Sequence, residues 1–316
     1  MPPAPHLAPA VAGTGRAKGQ YQASVMSSFI QILVSGLATG AIYALIAAGF
    51  TLLWQTSQTI NFAQGEFVML PAFFILAAMN AGAPFWLAAL IGIALAVVVL
   101  GLLFKLVIVD PMLRHGVLPL VISTIALSLF LKESVKVFYS SQAQPFPHLV
   151  PAADIEILGV VMSTQSLIVL AAAIVTVIAL HLVLDKTRLG RAMQATAQNP
   201  ALALILGVPV RRMVLYTFLI NAVLVAIASI LVSPIYLAKF TNGETLGMAA
   251  FVAAIIGGFN QVRGAVAGGI ILGVLDNLSA AYLSAQYRGA FPLLILIAVI
   301  MLRPHGLLGR REERTV

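Results

Sequence analysis

Long apolar stretches follow one another along this chain with hardly a charged residue inside them, and that pattern restricts the fold more than any motif. A bilayer offers the backbone no water, so a spanning segment must close its own hydrogen bonds. An α-helix does this with about 20 apolar residues. Stretches of that kind fall at 29–53, 65–80, 85–109, 117–139, 160–184, 214–237, 246–258, 264–283 and 289–303. Of the 316 residues, 61% are hydrophobic and only 9% charged, whereas a soluble domain carries about 25% charged residues. The expected fold is all-α, a polytopic transmembrane helix bundle of eight or nine spans. The count stays open because 65–80 contains Pro71 and 246–258 ends in Gly257-Gly258. Both read as short, broken or re-entrant segments, tolerated where other helices bury them.

Charge sets the orientation. The connection at 185–212, DKTRLGRAMQATAQNPALALILGVPVRR, carries Lys186, Arg188, Arg191, Arg211 and Arg212 against one acid, Asp185. Basic connections stay on the cytoplasmic side. Arg114, Arg263 and the tail with Arg303, Arg310, Arg311 and Arg314 then also fall inside, while 140–159, which has Asp154 and Glu156 and no Lys or Arg, falls outside. Nine crossings place the N-terminus outside; eight place it inside. The net charge of +8 thus sits at span ends and in short loops. A nucleic-acid face is not built that way, so lipid is an expected partner and nucleic acid is not. The chain has no cysteine, which excludes disulfides and thiolate metal sites. Residues 1–25 are rich in Pro, Ala and Gly without an apolar period. They are expected to be a disordered extension ahead of a membrane domain over 26–316, with Met26 a candidate true start.

Within the spans, small residues recur four apart at Gly36 and Gly40, Gly264 and Gly268, and Gly269 and Gly273, a spacing that lets helices approach closely in lipid. QGEFVMLPAFFILAAM from Gln64 and NGETLGMAAFVAAIIGG from Asn242 share a polar residue, Gly-Glu and a short apolar segment. With Glu66 starting inside and Glu244 outside, this echo fits an inverted repeat, whose interrupted segments line a pathway in transporters; chance similarity between apolar segments is the alternative. Asp276, next to Asn277, is an acid inside an apolar stretch, which marks either a pathway or a hydrogen-bonded helix interface. Lys132, Glu133 and Lys136 are expected to pair or snorkel at the outer interface.

The basic loop carries helix signals. Thr187 can cap a helix starting at Arg188. Asn199 before Pro200 pairs an N-cap with a first-turn proline, and Gly207 supplies a left-handed stop. A short helix over 200–206 follows, with an apolar side that needs a cover, either the membrane surface or a cleft of a soluble partner. No GxxxxGK[ST], HExxH or GxSxG occurs, and the five histidines are scattered. No catalytic residue, metal site or nucleotide site is therefore expected in this chain.

GRAMQATAQNPALALILGVPVRRM resembles the cytoplasmic loop of permease subunits in ATP-binding-cassette importers of the branched-chain amino-acid class. Gly190, Arg191, Ala192, Ala195, Ala197, Asn199, Ala203 and Gly207 stand at the family positions; Val208 replaces the usual Ile and Gln194 a common Arg. GLATGAIYALIAAGFTLLWQTSQTINFAQGEF at 36–67, GGFNQVRGAVAGGIILGVLDNLSAAYLS at 257–284 and LRPHGLLGR at 302–310 extend the resemblance over residues 27–311, with Asn260-Gln261 in place of Gly-Ser.

That resemblance implies a multi-pass subunit of a bacterial inner membrane, in a heterodimer with a second related permease. Two cytoplasmic ABC ATPase subunits would bind ATP and Mg, so this chain would hold no cofactor itself, and a periplasmic or lipid-anchored binding protein would bring the solute. The solute would be a branched-chain amino acid or a similar small polar molecule such as urea or a short amide. Loop 185–212 would be the ATPase-coupling loop, through Gly190, Arg191, Ala192, Ala195, Asn199, Pro200, Ala203 and Gly207. Asn61, Glu66, Glu244, Asp276 and Asn277 are the candidates along the pathway. The rivals are an ion-coupled secondary transporter, resting on Asp276, and a membrane enzyme, for which no cluster of His, Asp or Ser is present.

Overall fold

The computed structural model describes residues 14–150, 154–157, 160–287, 289–303 and 305–309. The helices are α1 (Thr14–Ser57), α2 (Gln64–Asn80), α3 (Phe85–Leu113), α4 (Val117–Phe138), α5 (Thr164–Lys186), α6 (Arg188–Gln198), α7 (Pro200–Ile205), α8 (Val210–Tyr236), α9 (Asn242–Gly257), α10 (Val262–Tyr282) and α11 (Ala290–Leu302). Among the described residues, six are long and apolar enough to cross a membrane: α1 from Met26 onward, α3, α4, α5, α8 and α10. The apolar helices α2, α9 and α11 are shorter, at 17, 16 and 13 residues. The all-α polytopic expectation holds, and α2 and α9 are the two segments expected to be short. A β-ribbon before α5 was not anticipated. Its strands β1 (Asp154–Ile157) and β2 (Val160–Ser163) pair antiparallel, with Asp154 opposite Ser163. DIEI and VVMS are short and rich in β-branched residues, which suit a pleated strand.

The extension expected to be disordered lies outside the described residues over 1–13. From Thr14 the backbone is helical and continues unbroken into the first span. Met26 therefore stands within a helix rather than at its start.

Helix α1 is central and packs along α10, α8, α9 and α5. Its seam with α10 explains two of the glycine pairs. A Cβ added to Gly40 would strike the backbone of Ile270, and one added to Gly273 would strike the backbone of Gly40. Backbones come this close where a glycine on at least one side leaves out the side chain. The pair Gly264 and Gly268 serves a different contact, against Gly257 and Ala253 of α9.

The middle of α3, Val97–Val109, is π-helical and ends at Asp110-Pro111. A proline ring crowds the carbonyl four residues earlier in a regular α-helix, and the wider turns end where Pro111 begins. Lys105, within this stretch, is buried and paired with Asp110 at 2.7 Å. At the opposite extreme of burial, α4 is only 11% buried over its most apolar window, against 67% for α8. Its exposed Leu118, Ile122, Ile125 and Leu129 form a surface suited to lipid or to another membrane subunit.

One end of the bundle is tied together by long-range contacts. Trp54 Nε1 donates to Asn260 Oδ1 at 3.0 Å, and the Gln55 amide donates to the Asn260 carbonyl. Asn260, a departure from the family's Gly-Ser turn, thus anchors that turn to the end of α1. The Leu307 and Leu308 N–H groups donate to the carbonyls of Ile256 and Gly257 at the end of α9.

Candidate functional site

Helix α2 begins inside the bundle. Gln64, fully buried, exchanges two hydrogen bonds with the equally buried Asn221 of α8, at 2.7 and 3.0 Å. At a rise of about 1.5 Å per residue, Asn221 stands roughly 16 Å along α8 from Val210. The hydrocarbon core is about 30 Å thick, so α2 starts near mid-depth. Gly49 leaves the room in which the two amides meet; a Cβ there would strike both.

The connectors into α2 and α9 share a reversal. Gln58 has φ 52° and Leu237 φ 63°, the two positive values at non-glycine positions among the described residues. Each opens the connector to one of these short helices. In the first connector the Ala63 N–H donates to Asn61 Oδ1 at 3.0 Å, and the Phe62 N–H donates to Thr124 Oγ1 of α4 at 3.3 Å. In the second, Asn242 Nδ2 donates to the Leu237 carbonyl at 2.6 Å.

The beginnings of α2 and α9 meet. A Cβ on Gly65 would strike the carbonyl of Gly243, one on Gly247 would strike Gly65, and one on Gly243 would strike the Glu66 carboxyl. The two Gly-Glu words read as an internal echo are therefore neighbours in space. Two helix N-termini with their partial positive charges converge where Glu66 and Glu244 stand.

Glu66 is 3% exposed, and its Oε2 has no hydrogen-bond partner among the described residues. Ser128 and Lys132 stand one turn apart on α4, and the Lys132 ammonium acts on this carboxyl through charge. Lys132 Nζ also reaches Glu244 Oε2 of α9 at 2.8 Å; the side chains of Lys132 and Glu244 are 23% and 68% exposed. A buried carboxyl, a half-buried ammonium and an exposed carboxylate thus form a short row leading out of the bundle. The pairing of Lys136 with Glu133 is as expected, at 3.2 Å. Lys132 departs from that local group because it faces α9 and crosses to Glu244.

Asp276 and Asn277 lie on a different pair of helices. Tyr43 Oη of α1 donates to Asp276 Oδ2 at 3.2 Å, and Asn277 Nδ2 donates to the Gly273 carbonyl at 3.0 Å. Both residues belong to the α1–α10 seam. Sequence reasoning passed over Gln64 and Asn221. Gln64 stood in full view at the head of its Gly-Glu word, and Asn221 was an amide alone among apolar neighbours, itself a signal in a span.

The loop follows its local signals. Thr187 Oγ1 accepts the Gly190 N–H at 3.0 Å and α6 starts at Arg188. Asn199 Oδ1 accepts the Leu202 N–H at 2.9 Å, Pro200 opens α7, and Gly207 takes φ +80°. The helix stops at Ile205, so Leu206 is its cap rather than its last residue. Gly190 sits so close to the end of α5 that a Cβ would strike the carbonyls of Val183 and Leu184. Ala192 and Ala195 are half-buried, while Arg188, Arg191, Arg211 and Arg212 are exposed. Asp185 gathers the joint through Arg263 of α10, Gln194 of α6 and His181 one turn earlier. Gln194 also donates to the Leu184 carbonyl, so the residue that replaces the family's Arg, itself exposed, is tied back to the end of α5. On α7 Ala203 is buried, whereas Leu202, Leu204 and Leu206 are exposed and Ile205 is 81% exposed.

Six long apolar helices, two short ones meeting in the interior and no soluble domain among the described residues define a multi-pass membrane protein of the transporter kind. The family described as the permease component of branched-chain amino acid transport systems matches residues 32–300, and the chain belongs to that family. It is 33% identical over 301 residues to the high-affinity branched-chain amino acid transport system permease protein LivH of Salmonella typhimurium, covering 91% of this chain and 98% of that protein. It is 32% identical to the corresponding protein BraD of Pseudomonas aeruginosa with the same coverage. A probable branched-chain amino acid transport permease of Methanocaldococcus jannaschii is 26% identical over 88% of this chain and 92% of its own length. No solved structure matches the chain.

Proposed function

We propose that this chain is one of two related permeases that enclose the translocation pathway of an ATP-binding-cassette importer. Its solute is a branched-chain amino acid or a similar small polar molecule such as urea or a short amide. Two cytoplasmic ATPase subunits hold ATP and Mg and supply the energy. A periplasmic or lipid-anchored binding protein delivers the solute, and the assembly lies in a bacterial inner membrane. With all nine apolar helices among the described residues counted as crossings, this reading puts the start of α1 outside and Arg114, loop 185–212 and Arg263 inside.

The observation that carries this reading is the uncovered apolar side of α7. A helix this short does not hold itself in water. Asn199, Pro200, Gly207 and the buried Ala203 hold it, while Leu202, Leu204, Ile205 and Leu206 stay exposed. An apolar cluster presented on a basic loop suits the cleft of a soluble partner. In this reading α7 is the coupling helix. Closure of the ATPase pair displaces α7 and α6. The displacement passes to α5 through the Gly190 contact and to α10 through Asp185 and Arg263. Because α10 is seamed to α1 and α9, it reaches the α2–α9 junction, where Asn61, Glu66 and Glu244 border the pathway. Asp276 and Asn277 hold the seam.

Mass spectrometry of what co-purifies with the tagged chain from its native membrane in gentle detergent tests the assembly. A P-loop ATPase and a second permease are expected. Their reproducible absence from intact, monodisperse protein would contradict the importer and favour an ion-coupled carrier.

A further inference from the structure

The row of charges at the α2–α9 junction is unusual for its depth and its imbalance. Glu66 lies in the interior with one carboxyl oxygen unbonded. Ionisable groups in a membrane interior are costly unless partnered, and a buried polar atom without a partner forgoes the hydrogen bonds it had in water. Lys132 is engaged by Glu244, whose side chain is largely exposed. Two carboxyl groups, those of Glu66 and Glu244, stand with one ammonium, that of Lys132, at the junction. Gly243 contributes no side chain there, and a Cβ at that position would overlap the Glu66 carboxyl itself, so the start of α9 rests directly on this group.

We infer that this junction is a binding site for a zwitterionic amino acid in transit, with Glu66 taking the ammonium group and Lys132 the carboxylate, released by Glu244. The inference deepens the importer reading, from which it takes only that an amino acid crosses here. The chemistry is complementary in detail. An amino acid carries an ammonium and a carboxylate on one carbon, and neighbouring side chains of this site carry the opposite pair. The ammonium donates to the buried, unbonded Glu66 Oε2, removing the uncompensated acceptor. The solute carboxylate replaces Glu244 on Lys132, one carboxylate for another, so that ion pair is conserved. Glu244, already the most exposed member of the row, turns to solvent when displaced. The converging N-termini of α2 and α9 add a field that favours a carboxylate.

The test is equilibrium binding of tritiated leucine to the complex purified from its native membrane and freed of its binding protein. Saturable binding is expected. 3-Methylbutylamine, which keeps the ammonium and lacks the carboxylate, is expected to compete, and 4-methylpentanoate, which lacks the ammonium, to compete far less. Glu66→Gln is expected to weaken leucine binding by about tenfold or more, as loss of a charge-assisted hydrogen bond does, with Glu66→Asp restoring part of it. Lys132→Met, at a partly exposed position, serves should the Glu66 variants fail to fold. It is expected to lose leucine affinity while retaining competition by 3-methylbutylamine. No saturable leucine binding by the wild type, equal affinity in folded Glu66→Gln and Lys132→Met, or competition by 4-methylpentanoate alone would each overturn the site. Absence of an ATPase from the purified complex defeats the importer reading instead and leaves this binding comparison intact.

Discussion

Loop 185–212 and the α2–α9 junction each position a helix end, and they do it in opposite ways. In the loop the signals that set α7 come from within a few residues: Asn199 caps it, Pro200 starts it and Gly207 stops it. In the junction the contacts come from far along the chain. Gln64 pairs with Asn221, 157 residues away, and Gly65 rests on Gly243 and Gly247. The loop keeps its apolar residues outward, ready for another chain. The junction turns Gln64, Asn221 and Glu66 inward, where polar groups need partners because no water is available. A locally built element tolerates exchange of its neighbours and is vulnerable at its caps. A junction built from distant pieces is vulnerable at every contact, since the low dielectric magnifies each unmet polar group.

The sharpest way to break this contrast is at the glycines. Gly65→Leu demands space held by the backbone of Gly243, and overpacking a close helix contact of this kind is expected to cut uptake by about a hundredfold or more and lower the yield of folded protein. Labelled leucine uptake and size-exclusion profiles check it; near-normal uptake would mean the helix starts are not closed upon each other. Next in size are Gly207→Pro and Asn199→Leu in the loop. Losing the Asn199 cap costs about 1 kcal/mol, too little to unfold the bundle. Uptake is nevertheless expected to fall by about tenfold, with membrane insertion preserved, because α7 no longer holds its place. ATP-driven uptake at the normal rate in both variants would remove the coupling role.

The Gln64–Asn221 pair sharpens the comparison thermodynamically. Gln64→Leu or Asn221→Leu alone is expected to destabilise by about 1–3 kcal/mol, since each strands the other's buried amide. The double variant is expected to lose less than the sum of the two. Unfolding in mixed detergent micelles reads the difference, and strict additivity would show that the amides do not act as a pair. The smallest effect is assigned to the α1–α10 seam. Tyr43→Phe removes the hydroxyl that donates to Asp276 and is expected to cost about 1 kcal/mol or less, with uptake within about twofold of normal. A large loss of uptake with unchanged stability would move Asp276 from the seam to the pathway.

The same contrast explains what was legible in the sequence. Hydropathy located the helices, because each span answers to lipid independently of the others. Thr187, Asn199, Pro200 and Gly207 located α6 and α7, because capping is settled between neighbours. The two Gly-Glu words marked α2 and α9 as related, yet their direct apposition depends on α1, α4 and α8 bringing them together. Lys132 illustrates the limit. Its neighbours in sequence, Glu133 and Lys136, pair with each other, and nothing within a turn of it points to Glu244. Asp276 was conspicuous as an acid among apolar residues, but only the fold places Tyr43 opposite it. Gln194, which stands where the family commonly has Arg, turns its amide to Leu184 and Asp185, partners that the sequence around it does not announce.

The central claim is that α7 is the contact through which a separate ATPase drives this permease, and a cross-link addresses it most directly. The chain has no cysteine, so Ile205→Cys places a single thiol at the tip of α7, and Ile178→Cys places one on the exposed side of α5. In native membranes a short thiol–amine cross-linker is expected to join the Ile205→Cys protein to a P-loop ATPase subunit, with a yield that changes when ATP is added. The Ile178→Cys protein is expected to give no such product. An α7 thiol that reacts freely with lipid-soluble reagents and never cross-links to an ATPase would contradict the account.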